Sequence, residues 1–201
     1  MAVNGKNRNR TADCARQVRR RWAMRACLLL VVGVAMLPAS AAAQDPVVER
    51  EAKIKAAYLY QFLNYIQWAP GTFQAEDSPL VIGVVGDDPV NKYLKVIAAH
   101  RKANNRRLEY REVQTPDDAA GCHILFFGDQ VAADTIRQYI QERTGDPVLL
   151  VGENPSFIQI GGIIAFVVAD NHVRLQLSMK EASKRGLRVS SQLAKIAHVV
   201  D

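Results

Sequence analysis

Short apolar runs alternate with segments of helical character between residues 80 and 177, and this alternation restricts the chain to the α/β class. Continuous apolar runs at 80–85, 124–127 and 148–151 are typical of strands that are buried on both faces. A run at 107–113 alternates apolar and polar residues, as a half-exposed strand does. Helical segments separate these runs at 89–99 and 130–142. The alternation predicts a mainly parallel sheet that is flanked by helices.

The two ends of this region add further elements. Runs at 163–168 and 173–177 predict an antiparallel C-terminal hairpin, because an aspartate and an asparagine between them favour a turn. Short helices are expected at 179–185 and after the serine pair at 190–191. A long N-terminal helix is predicted at 48–67, where a wide apolar stripe is ended by proline and glycine. With no linker or charge block, the sequence predicts one domain.

The first 43 residues have the three zones of a secretory signal peptide. A stretch rich in arginine precedes an apolar run at 26–37, and Ala41–Ala43 offers a cleavage site before Gln44. We therefore expect an exported protein whose mature domain comprises residues 44–201, with no membrane insertion after cleavage. An uncleaved N-terminal anchor is the alternative.

Removal of this segment changes the charge of the protein. The whole chain has 26 Lys and Arg against 20 Asp and Glu, a net charge of +6. The segment takes eight of the basic residues and one acid, which leaves 18 basic and 19 acidic residues. The basic balance thus belongs to the signal, and it gives no reason to expect nucleic-acid binding.

Cys122 is the one cysteine of the predicted mature domain, so it has no partner for an internal disulfide. It begins the run Cys122–Phe127, whose pattern predicts a buried strand and a small apolar filler. An intermolecular disulfide or a reactive thiol is the alternative.

Three predicted strands end in glycine followed by an acidic residue. The carboxyl ends of parallel strands meet at one edge of a sheet, where ligands tend to bind. Four carboxylates should therefore converge there: Asp87, Asp88, Asp129 and Glu153. Such a group would attract Mg²⁺, Ca²⁺ or an amine. Helix capping explains the same residue types and spacing without a ligand, and the sequence favours capping.

The sequence contains no catalytic constellation. The four histidines, at 100, 123, 172 and 198, lack the spacing of metal ligands, and no HExxH, GxSxG, GxGxxG or P-loop motif occurs. Cys122 and His123 are adjacent on a predicted strand and so point to opposite faces. We expect neither an enzyme nor a bound cofactor or metal.

Five segments carry a resemblance to a known family, and their order along the chain is specific. They are Ala56–Pro70, Gly86–Pro89, Cys122–Phe126, Gly161–Phe166 and Ala182–Ala197. In these segments the chain resembles the YfiR-like periplasmic proteins, although Ala69 intervenes in the Trp-Pro pair of the family.

The resemblance implies an exported, non-enzymatic regulator that tends to form homodimers. The best-known member restrains an inner-membrane diguanylate cyclase by binding its periplasmic sensor domain, which lowers cyclic di-GMP and biofilm formation. Related members depend on disulfides, whereas Cys122 has no partner here, so an intramolecular redox control is not expected.

We expect the partner to contact the C-terminal hairpin and helix. The candidate residues are Phe157, Phe166, His172, Arg174, Gln176, Gln192 and His198. Aromatic and arginine side chains are typical of such anchors, although core packing accounts equally well for the two phenylalanines. The alternative function is a periplasmic sensor of a small molecule or cation that uses the four strand-end carboxylates.

Overall fold

A computed structural model describes residues 46–69, 71–169 and 172–200, and the predicted signal peptide lies outside these ranges. The helices are α1 (Pro46–Tyr65), α2 (Val90–His100), α3 (Ala133–Glu142), α4 (Met179–Lys184) and α5 (Ser191–Ile196). The strands are β1 (Ile66–Gln67), β2 (Leu80–Val85), β3 (Lys102–Ala103), β4 (Arg106–Val113), β5 (Ile124–Phe127), β6 (Leu149–Gly152), β7 (Ile164–Ala169), β8 (His172–Leu177), β9 (Arg188–Val189) and β10 (His198–Val199).

The main sheet has eight strands in the order β10-β8-β7-β6-β5-β2-β4-β3. Strands β4, β2, β5, β6 and β7 pair in parallel, whereas β7 and β8 form an antiparallel hairpin. The α/β prediction, with its mainly parallel sheet and C-terminal hairpin, is confirmed. None of the helices in the described ranges combines the length and apolar character that crossing a membrane requires.

Consecutive phenylalanines of β5 explain why helices cover both faces of the sheet. The ring of Phe126 lies 6.2 Å from that of Phe166, which in turn contacts Phe62 of α1. The ring of Phe127 lies 5.6 Å from that of Tyr139 of α3. Successive strand residues point to opposite faces, so β5 buries one large ring on each side. Each such ring contributes about 2 kcal/mol of hydrophobic stabilisation.

The prediction for the N-terminal helix was wrong at its end. The helix stops at Tyr65, and β1 pairs with β9 as a separate two-stranded antiparallel sheet. This pairing ties the end of α1 to the segment between α4 and α5.

A tight hairpin between β3 and β4 was also missed. Asn104 and Asn105 both have positive φ, at 49° and 62°, as a two-residue turn of this hand requires. The hydroxyl of Tyr60 donates to the carbonyl of Lys102, and the amide of Asn104 donates to the carbonyl of Leu63. Both contacts come from α1, so the hairpin is fixed to the body of the domain.

Candidate functional site

Four carboxylates lie at the carboxyl edge of the parallel strands β2, β5 and β6, as the sequence predicted. We call this set the acidic rim: Asp87, Asp88, Asp129 and Glu153. Asp87 and Asp129 are exposed, whereas Asp88 is buried. Oδ1 of Asp88 accepts a hydrogen bond of 2.8 Å from the backbone N–H of Val90, in the first turn of α2. Part of the rim therefore satisfies backbone donors, as capping does.

Lys55 reaches the acidic rim from α1. Its ammonium lies 2.5 Å from Oε2 of Glu153, and the two side chains are only 10% and 9% exposed. Burial raises the pKa of Glu153 to about 6, although Lys55 opposes this shift. Burial also raises the pKa of Asp88, and the charges of Asp129 and Asp87 add to that effect. The rim thus contains a buried ion pair that joins α1 to the end of β6.

This ion pair changes the interpretation of the rim as a cation site. The positive charge that the carboxylates attract is supplied by the chain itself, through Lys55. In the part of the chain that the structure describes, no three His, Cys, Asp or Glu side chains are grouped so that they could hold a metal ion. The rim therefore does not assemble a set of metal ligands.

Phe157 and Phe166 require a correction, because both are core residues. Phe157 is fully buried, and its ring fills the space between Gly152 and Gly162. A Cβ at Gly162 would lie 2.1 Å from that ring, and one at Gly152 would lie 2.5 Å from it. Phe166 packs against Tyr58 and other rings under α1. Neither phenylalanine is accessible to a partner, because the glycines and aromatic rings enclose them.

The other five predicted partner residues lie on β8, α5 and β10, and β8 and β10 form one edge of the main sheet. We call this region the C-terminal face, and its predicted members are His172, Arg174, Gln176, Gln192 and His198. His198 of β10 is the register partner of Gln176 of β8. Gln192 is exposed on α5, whose start is capped by the Ser190 hydroxyl.

The C-terminal face also exposes apolar side chains. Ile196 is 56% exposed and Val199 is 42% exposed. Ile196 follows Leu193 at helical spacing, but α5 ends at Ile196 and the chain turns into β10, so Leu193 is buried and Ile196 is not. A groove of about 350 Å³ lies between β8 and the end of α5. It is lined by Tyr58, Val173, Arg174, Leu175, Lys195, Ile196, Ala197 and His198.

A cluster that the sequence did not predict holds the loop before β2. We call it the loop clamp, and its members are Trp68, Phe73, Arg106 and His123. The rings of Phe73 and His123 are stacked 4.8 Å apart, and the Arg106 guanidinium lies 3.9 Å from the centre of the Phe73 ring. Arg106 also donates to the carbonyls of Ala75 and Ser78. Nothing in the spacing of these residues along the chain pairs Phe73 with the distant His123.

His123 is held neutral within the loop clamp. Its Nδ1 accepts a hydrogen bond of 3.1 Å from the backbone N–H of Val81. Burial lowers its pKa to about 4, and the charges of Arg106 and Arg111 act in the same direction. His123 therefore serves as a structural acceptor and aromatic surface.

Cys122 is buried beside Gly83, as its predicted role of apolar filler requires. Burial raises the pKa of its thiol, so the reactive thiolate is disfavoured.

Two solved structures are similar to this fold. A conserved domain protein from Vibrio cholerae matches 78% of this chain at 13% identity, with a TM-score of 0.52. The ABC domain from Streptococcus pneumonia, solved in complex with L-Trp, matches 60% of this chain at 11% identity, with a TM-score of 0.45. The chain covers 60% and 55% of their respective lengths. At such low identity the first supports the fold alone, and the second supports no argument.

No curated protein shows significant similarity to the sequence. The family model described as DUF4154, YfiR/HmsC-like, matches residues 52–198. The match runs from α1 to β10 and includes both the acidic rim and the C-terminal face. The chain therefore belongs to the YfiR/HmsC-like family.

Proposed function

We propose that the protein is an exported regulator that restrains an inner-membrane diguanylate cyclase. It would act in the periplasm by binding the sensor domain of the cyclase, and it would thereby lower cyclic di-GMP. The observation that carries this proposal is the family match over residues 52–198, which spans the whole sheet. Regulation, and not catalysis, is the activity that this family suggests.

The C-terminal face supports a role in protein recognition. It combines exposed apolar side chains, Ile196 and Val199, with the polar side chains of Gln192 and His198. An apolar centre within a polar rim is the usual composition of a protein–protein interface. The groove beside α5 offers a concave surface for an anchoring side chain of the cyclase.

The pairing of two buried groups with shifted pKa values supports a non-catalytic protein. Glu153 is paired with Lys55, and Nδ1 of His123 is occupied by the N–H of Val81. Each of these two groups has a structural partner. We propose no enzymatic step for this chain. The homodimer that the resemblance implies remains part of the proposal.

Capture of the cyclase tests the proposal directly. The tagged protein is incubated with detergent-solubilised inner membranes of its own host, and recovered proteins are identified by mass spectrometry. We expect one diguanylate cyclase to be enriched, and deletion of the regulator to raise cellular cyclic di-GMP. An unchanged cyclic di-GMP level, with no cyclase recovered, would show that the proposed function is wrong.

A variant of the C-terminal face adds a residue-level test. The Gln192→Glu/His198→Glu double variant places two carboxylates in the proposed interface, and we expect capture to weaken by at least about tenfold. The matched control is Gln141→Glu/Gln159→Glu, which adds two carboxylates at exposed positions elsewhere. Equal loss in both variants would contradict the assignment of this face.

A further inference from the structure

The cations of the domain are strongly segregated. Residues 89–108 contain six Lys and Arg and no Asp or Glu, although the predicted mature domain has slightly more acids than bases. Lys95 is paired with Glu112, and Arg106 is engaged in the loop clamp. Arg101, Lys102 and Arg107 are exposed and make no ion pair with the described residues. These three charges are therefore available to an external anion.

The same three side chains surround a cleft. We call it the basic cleft, and it lies between the end of α2 and the β3–β4 hairpin. Its volume is about 460 Å³, and its lining is Pro79, Ala98, Ala99, His100, Arg101, Lys102, Arg107, Leu108 and Glu109. Glu109 lies 3.2 Å from Arg111 and so already has a cationic partner. The cleft therefore presents a positive surface.

The hairpin keeps two like charges directly opposite each other. Lys102 of β3 is the cross-strand register partner of Arg107 of β4. Like charges in this arrangement destabilise a strand pair. The helix dipole accounts for His100, in the last turn of α2, and for Arg101, which follows it, but it does not account for Lys102 and Arg107. An unfavourable pairing of like charges that nothing nearby offsets is expected at functional sites.

We propose that the basic cleft binds the phosphate of an anionic phospholipid and so holds the domain at a membrane surface. The cleft is held in place by the contacts of Tyr60 and Asn104 with the body of the domain. Val96 lies one helical turn from His100 and is 59% exposed, which adds an apolar contact beside the charges. The inference rests on the proposed function for the choice of a membrane surface, because a membrane-anchored partner brings the protein there.

Vesicle sedimentation tests the proposal without any cyclase. The protein, expressed from its full chain, is mixed with vesicles of phosphatidylcholine or of phosphatidylcholine and phosphatidylglycerol in equal parts. We expect binding only to the anionic vesicles, and a steep decrease as salt is added. Each basic side chain near such a surface contributes about fivefold. The Arg101→Gln/Lys102→Gln/Arg107→Gln variant should therefore bind about 100-fold more weakly.

The control removes three exposed cations elsewhere, as Arg50→Gln/Arg137→Gln/Lys184→Gln. If it loses as much binding as the cleft variant, the effect is one of net charge, and the cleft assignment is wrong.

Calorimetry with glycerol phosphate and inorganic phosphate separates a soluble ligand from a lipid. If the protein binds these soluble phosphates but not the vesicles, the proposal of a lipid ligand is wrong. A cleft variant that keeps vesicle binding but loses cyclase capture would identify an acidic protein partner, which also contradicts the proposal.

Discussion

The ion pair of Lys55 and Glu153 shows how one side chain fixes the position of a whole helix. A buried carboxylate without its cation is costly, because little water remains to solvate it. The Lys55 ammonium offsets that cost and fastens α1 to the end of β6. Oε1 of Glu153 is buried without a hydrogen-bond partner among the described residues, so the compensation is incomplete.

This pair predicts a specific pH dependence of stability. Because the folded pKa of Glu153 is about 6, above its ordinary value of 4.5, the folded protein holds a proton that the unfolded chain releases. The free energy of unfolding should therefore fall by about 2 kcal/mol as pH rises between these values, since one pKa unit is worth about 1.4 kcal/mol. Glu153→Gln should remove this contribution. Denaturant unfolding at several pH values measures it.

Replacement of Lys55 tests the ion pair through its cationic partner. Lys55→Met leaves Glu153 buried and unpaired, and it should cost about 3 kcal/mol at neutral pH. The double variant with Glu153→Gln should recover most of that loss, since no charge then remains buried. A double variant no more stable than Lys55→Met would show that Lys55 stabilises by packing and not by charge.

Single residues also mark what sequence reasoning could and could not predict. The capping role of Ser190 and the convergence of the strand-end acids follow from local chemistry and parallel strands, and the sequence predicted both. The burial of Phe157 did not follow, because it depends on Gly152 and Gly162 leaving a ring-sized space on either side. Gly162 allows this close approach because it has no Cβ. Such a contact joins separate elements and leaves no periodic signal.

At the scale of elements, long strands were predictable and short ones were not. Strand β2 matches its predicted range because six consecutive apolar residues give a clear signal. Strands β1, β3, β9 and β10 have two residues each, which is too short for any alternation to appear. Their pairing is decided by the elements they join. They nevertheless shape both proposed surfaces, since β3 borders the basic cleft and β10 lies in the C-terminal face.

The loop clamp should make the stability of the folded domain depend on acidic pH. His123 has a folded pKa of about 4, below its ordinary value of 6.5, so the unfolded chain takes up a proton that the folded protein excludes. Stability should therefore be lost as pH falls from 6.5 towards 4, by up to about 3 kcal/mol. His123→Asn keeps an acceptor for the N–H of Val81 but does not titrate.

The measurement must separate this effect from that of Glu153, which has the opposite sign in an overlapping pH range. Unfolding is compared in the Glu153→Gln background, with and without His123→Asn. We expect acid destabilisation only where His123 is present. Limited proteolysis at low pH should then cut first within residues 71–79, which the clamp holds. Equal acid sensitivity in both proteins would exclude His123 as the cause.

At the scale of the whole molecule, charge is arranged along α2. The helix begins beside Asp88 of the acidic rim and ends at His100 beside the basic cleft, a length of about 16 Å. The near-neutral balance of the predicted mature domain therefore conceals two regions of opposite charge. The C-terminal face lies on other elements, β8, α5 and β10. A protein with separate surfaces for a membrane and for a membrane-anchored partner gains effective concentration from the first and specificity from the second.

Because the two surfaces have separate roles, variants of the two surfaces should lose repression in different ways in cells. The Arg101→Gln/Lys102→Gln/Arg107→Gln variant should capture the cyclase normally in detergent but repress it weakly at native expression. Overexpression should restore its repression, because added protein replaces the lost local concentration. The Gln192→Glu/His198→Glu variant should bind anionic vesicles normally and fail to repress at any expression level that the cell tolerates. Cyclic di-GMP measured across a series of expression levels distinguishes the two variants. If repression by both variants recovers equally, the surfaces have no separate roles.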